Sequence, residues 1–167
     1  KEAQYATGTV YLHFKDKDAL YFALLEEKIK SLLFTVKEKI GQLQDARKKL
    51  EIYVQEGLVF FENNQDFFRI FISEGNEVVS ERRILKSPIG LQNQEYTTSL
   101  LKEAQEQGVI SRDFDAGQIA EVLISIIKTI IQKWIEEKKE KNDNLIDLSR
   151  VILRLFLNGT ANKQFPP

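Results

Sequence analysis

The chain has no cysteine and no methionine, one histidine and three prolines among its 167 residues. Without cysteine there are no disulfides, thiolate metal sites, redox pairs or sulfur nucleophiles. With His13 as the sole imidazole, a hydroxyl–histidine–carboxylate relay could be assembled around one position only, and a multi-histidine metal site not at all. No phosphate-cradling glycine loop and no nucleophile beside a base stands out, so neither an enzyme nor a resident cofactor is expected. No apolar run approaches the roughly 18 residues of a membrane span and nothing near Lys1 has the form of a signal peptide, which reads as a soluble, cytoplasmic chain. An excess of one charge is missing too: 24 Lys+Arg face 25 Asp+Glu for a net charge of −1, which offers no electrostatic footprint for nucleic acid. Because a natural reading frame opens with methionine, its absence even at position 1 leads us to expect a longer parent chain.

What is present is helical periodicity. The apolar fraction of 43% suits one domain of ordinary size, or one with a small appendage. Leu50, Tyr53, Val54, Gly57, Leu58 and Phe61 recur at three- and four-residue steps and predict a helix over about 46–63. Leu20, Leu24, Ile29, Leu32, Val36 and Ile40 do the same in a preceding long helix, with Asp16 available as its cap. The longest stripe runs through Ile119, Val122, Leu123, Ile126, Ile127, Ile130, Ile131 and Trp134; Asp115 and Gln118 stand in capping-box relation at its start, and Gly108 suits the end of the helix before it. A last helix is expected from about Asn144 to Asn158, closing at Gly159 and carrying Leu145, Leu148, Val151, Ile152, Leu155 and Phe156. The fold class is all-α.

Both terminal helices carry further apolar positions on a second face: Ala120, Ile124 and Ile135 in one, Ile146, Leu153 and Leu157 in the other. A helix apolar over most of its circumference must be covered from two directions. One cover is the chain's own core; the other can be a second copy, giving a four-helix dimer seam through Ile119, Leu123, Ile127, Ile131, Trp134, Leu148, Ile152 and Leu155. Central helices of a monomeric bundle would carry the same pattern, so both readings stand at this point.

The first twenty residues have a different character. A short helical element over about Thr7–Phe14 presents Thr7, Thr9, Tyr11 and His13, while Val10 and Phe14 give it an inward face. Threonine can bond base edges and touch a thymine methyl, and tyrosine, histidine and lysine can reach phosphates, although a plain connecting helix would need no such duty. The segment Ala3–Leu20, AQYATGTVYLHFKDKDAL, closely resembles the second half of the helix-turn-helix of TetR-family transcriptional repressors. The match rests on Ala3, Gly8, Thr9, Val10, Tyr11, His13, Phe14, Lys17 and Leu20; Gln4 stands where that family usually has a turn glycine, and Ala6 where it often has serine. Glu106–Ala120 and Leu153–Gly159 are looser matches to the link before the penultimate helix and to the end of the last one.

The resemblance implies that Thr7 and Thr9 meet bases and that Gly8 permits close approach to DNA. It places Tyr11, His13, Lys17 and, more weakly, Lys15 at phosphates. It implies a division into residues 1–20, the end of a DNA-binding domain, and residues 21–167, a ligand-binding and dimerisation domain. It further implies a homodimer through the last two helices, an operator that is double-stranded and pseudopalindromic, and release by a small hydrophobic effector, with the long helix from Lys17 as the lever. Lys1, Lys15 and Lys17 balance Glu2, Asp16 and Asp18 in the first twenty residues, and the family pattern calls for further, commonly basic, residues ahead of Lys1, so the balanced charge does not count against DNA.

Val59–Ile72 holds five phenylalanines, more than one face of a helix pair needs. Tyr53, Phe61, Phe68, Phe71, Tyr96 and Leu100 are the candidates for lining a pocket that takes a fatty-acyl chain or a planar apolar molecule; the plain alternative for each is aromatic core. A helical ligand-binding or protein-interaction module that does not regulate DNA is the rival reading.

Overall fold

Asp16 sets the start of the first helix. Its backbone is extended, and its carboxylate accepts the Ala19 amide at 2.7 Å, satisfying one of the N–H groups a helix start leaves open. The computed structural model describes residues 14–74, 86–137 and 145–160, and at 70–74, 136–137 and 160 the backbone alone. Within these lie six helices and no strand: α1 (Lys17–Ile40), α2 (Ala46–Asn63), α3 (Gln65–Glu74), α4 (Pro88–Glu106), α5 (Ala116–Glu137) and α6 (Leu145–Thr160).

The predicted boundaries hold closely. Asp45 caps α2 by accepting the Lys48 amide at 3.1 Å, and Asp115 caps α5 through the Gln118 amide at 2.9 Å. Ser87 caps α4, where Pro88 fills a first-turn position that needs no N–H donor. Gly108 has φ of +73° and turns the chain out of α4, while the Val109 and Ile110 amides both return to the Ala104 carbonyl. One boundary differs: α6 continues through Gly159 to Thr160. Gly159 takes no positive φ and does not close the helix as the sequence suggested.

In α1 the buried stripe is Leu25, Leu33, Val36 and Ile40, with Ile29 and Leu32 partly covered; Leu24 lies off it and is exposed. α2 is the hub and packs on each of the other five helices. Its Ala46, Leu50, Tyr53, Val54 and Leu58 are buried. Two polar clasps fix α2 to α4. Lys49 meets both carboxylate oxygens of Glu103 at 2.7 and 2.8 Å. The Gln107 amide accepts from Ala46 N–H at 2.9 Å and donates to the Gln44 carbonyl at 2.7 Å, so one side chain closes the start of α2.

Candidate functional site

The α2–α3 junction gathers four of the five phenylalanines. Asn64 interrupts the helix, its side-chain amide donating to the Phe60 carbonyl at 2.8 Å, and Phe60 and Phe61 on one side of it meet Phe67 and Phe68 on the other. The Phe61 and Phe68 rings lie 4.3 Å apart, and Phe60 with Phe61 and Phe67 with Phe68 meet edge to face at 5.7 and 5.2 Å. Phe68 is buried and the other three are partly so, all packed on the main core. Phe71 falls in α3, where its side chain lies outside the described residues.

Tyr53, Leu100 and the half-buried Tyr96 join the same apolar body from α2 and α4. Tyr53 brings a polar group into it. Its hydroxyl donates to Asn93 Oδ1 at 3.2 Å and accepts from Thr97 at 2.7 Å, and the Thr97 oxygen lies 2.8 Å from the Asn93 carbonyl. Burial raises the phenol's pKa above the ordinary 10, against the lowering effect of the hydrogen bonds to Thr97 and Asn93. Tyr96 is raised as well, first by burial and then by Tyr53 and Glu103, and the Lys37 ammonium lies 5.0 Å from the centre of its ring. The six predicted pocket residues thus divide: five are described and share one apolar body, in contact with a hydrogen-bonded phenol, threonine and asparagine.

A residue that sequence reasoning missed ties this body to α1. Lys28 donates to Asn64 Oδ1 at 2.5 Å, and its ammonium lies 5.1 Å from the Phe67 ring centre. The long helix α1 is therefore fastened to Asn64, the residue at which the phenylalanine-bearing helices join. A partnership 36 positions apart has no periodic signature.

At the other end of α1, Lys15 and Lys17 are exposed, and the Lys17 ammonium lies 5.4 Å from the Tyr21 ring centre. Thr7, Gly8, Thr9, Tyr11 and His13 lie outside the described residues. α1 runs unbroken across residue 20.

The expected dimer seam separates into two faces. Ile119, Leu123, Ile131, Trp134 and Ile152 are buried in this chain's own core, and Ile127 and Leu148 are packed against it. Leu155 alone among the eight is widely exposed, at 71%. It stands one turn from Val151 (51%), and Val122 on α5 is similarly bare (53%), with Ile126 and Ile130 partly covered. The strongest stripe is the one buried within this chain; a weaker, neighbouring set remains uncovered.

The arrangement is an all-helical body entered through one long helix, α1. No family model matches the chain. It is 23% identical over 168 residues to the fatty acid metabolism regulator protein of Bacillus subtilis (strain 168), a match covering 98% of this chain and 83% of the relative. Among solved structures, FadR from Bacillus subtilis in complex with stearoyl-CoA superposes with a TM-score of 0.78 at 20% identity, covering 92% of this chain and 82% of that one. The TetR family regulator PfmR from Thermus thermophilus gives 0.69 at 19% identity, covering 95% and 84%. The chain has the fold of the TetR-family transcriptional regulators.

Proposed function

We propose that this chain is the sensing and pairing part, with the end of the DNA-reading part, of a TetR-type transcriptional repressor whose effector is a long-chain fatty acyl thioester. The observation that carries the reading is that the likeness to a fatty acid regulator runs through 98% of the chain, the sensing helices as well as the motif at Ala3–Leu20. The solved relative holds stearoyl-CoA, and here the phenylalanines at the α2–α3 junction offer an apolar body into which an alkyl chain can insert.

Insertion has to part rings such as Phe61 and Phe68, now 4.3 Å apart. Phe67 and Asn64 hold Lys28, so a displaced junction pulls on α1 near its middle. In a dimer paired through the bare faces of α5 and α6, that pull alters the separation of the two recognition segments, and so their fit to successive major grooves. The effector acts only through its preference for the DNA-incompetent separation, and operator DNA weakens effector binding by the same factor.

The test is a titration of the full-length protein against DNA flanking its own gene. Binding is expected to be sequence-selective and salt-sensitive, to be lost or strongly weakened by Tyr11→Ala or Lys17→Ala, and to be reversed by long-chain acyl-CoA. Lys17→Ala is expected to lower the slope of log K against log salt by about one for each subunit's lost phosphate contact. Equal, weak binding to specific and random DNA would favour a helical ligand-binding or protein-interaction module that does not regulate transcription.

A further inference from the structure

A recess lies on another flank of α2, away from the phenylalanines. It is a groove of about 620 Å³ between α2 and α6, lined by Arg47, Glu51, Gln55, Arg150, Leu153, Arg154, Leu157 and Asn158. Its lining carries three guanidinium groups against one carboxylate, a local excess of positive charge in a chain whose net charge is −1. Leu153 and Leu157 are buried and form an apolar floor, while Gln55 and Asn158 add amide donors and acceptors at the edges. Arg47 is engaged with Glu51 at 3.2 Å, and Arg150 reaches Asp147 only at 3.9 Å. Arg154 has no hydrogen bond or ion pair to any described residue, so its planar fork of donors is available.

An apolar floor edged by guanidinium groups is the chemistry that receives a phosphorylated nucleotide: the floor and an arginine plane take the base, the remaining arginines its phosphates. We infer that the α2–α6 groove binds the phosphorylated adenosine head of the acyl thioester, outside the apolar body that takes the acyl chain. This rests on the effector reading given above. Gln55, at the groove's end, precedes Phe60 by five residues of one helix, an axial distance of about 7.5 Å. The two places lie on different flanks of α2, so the linker between head and thioester has to pass around the helix as well as along it.

Calorimetric titration of the full-length protein separates the parts. The probes are coenzyme A without an acyl group, adenosine 3′,5′-bisphosphate, inorganic phosphate and palmitate. Coenzyme A and the bisphosphate are expected to bind the unmodified protein, and the double variant Arg150→Ala/Arg154→Ala to bind both at least about tenfold more weakly, the scale of a lost charge-assisted contact. Both arginines are exposed, and palmitate affinity is expected to stay unchanged in this variant. Glu51→Gln, which removes the only carboxylate among the groove's described lining residues, is expected to tighten coenzyme A severalfold, an effect of opposite sign that misfolding cannot mimic. Unchanged coenzyme A affinity in the double variant overturns the proposal, and so does inorganic phosphate binding as tightly as coenzyme A, which would mark a bare anion site. If coenzyme A binding depends on these arginines while palmitoyl-CoA fails to release operator DNA, the groove stands and the effector reading falls.

Discussion

Tyr53 places a phenol inside the apolar body that also holds Phe68 and Leu100, with its bonding capacity met by Asn93 and Thr97. Tyr53→Phe removes that hydroxyl and leaves Asn93 Oδ1 without its donor, at an expected cost of about 1 kcal/mol in urea unfolding. The pH dependence has a definite sign. Burial raises the folded pKa above 10, so the unfolded state loses its proton first as pH rises. The stabilisation is complete below pH 10 and is lost progressively above it, toward the folded pKa. The alkaline fall in urea midpoint is therefore expected to be shallower in Tyr53→Phe than in the unmodified protein, and equal slopes would count against this account. Lys28 and Asn64 belong at the same scale: neither has a distinctive sequence context, and only the fold shows that one holds the other.

Two glycines at the scale of the helix behave oppositely. Gly57 lies inside α2 with nothing within 4 Å of where a Cβ would stand, and Gly57→Ala is expected to stabilise by about 0.5–1 kcal/mol through reduced freedom of the unfolded chain. Gly108 is as open sterically but sits at φ +73°, so Gly108→Ala is expected to destabilise by about 1 kcal/mol. Thermal or urea unfolding of the two variants checks both signs. These helices were legible because their ends are chemically marked: Asp16 and Asp115 cap as the sequence suggests, and Asp45 does the same for α2, where periodicity alone had set the boundary. Where the apolar faces of α5 and α6 find their cover was less legible. Periodicity identifies an apolar stripe but not which body covers it, and Ile119, Leu123 and Trp134 formed the best stripe because the monomer buries it. The groove was invisible for another reason: Arg47 and Arg154 come from different helices, and each alone is an ordinary surface arginine.

For the molecule as a whole, the uncovered apolar set on α5 and α6 is where we place the partner copy. Leu155→Glu puts a charge at its most exposed point, and two such charges would meet or lose water across a symmetric seam. Light scattering coupled to size exclusion is expected to show a shift from dimer to monomer at micromolar protein, with helix content retained. A monomeric unmodified protein would remove the two-fold architecture. On the repressor reading proposed above, operator affinity is expected to fall as dimerisation is lost, since a single recognition segment would read only half a site.

That the core stripe and the bare face lie on different flanks of α5 and α6 also sets an order of events during biosynthesis. A new chain can seal Leu123, Ile131 and Ile152 inside itself before meeting another copy, because none of these awaits a partner to be covered. Pairing through the bare face, as proposed above, would then add a concentration-dependent stabilisation to a core that the single chain already closes.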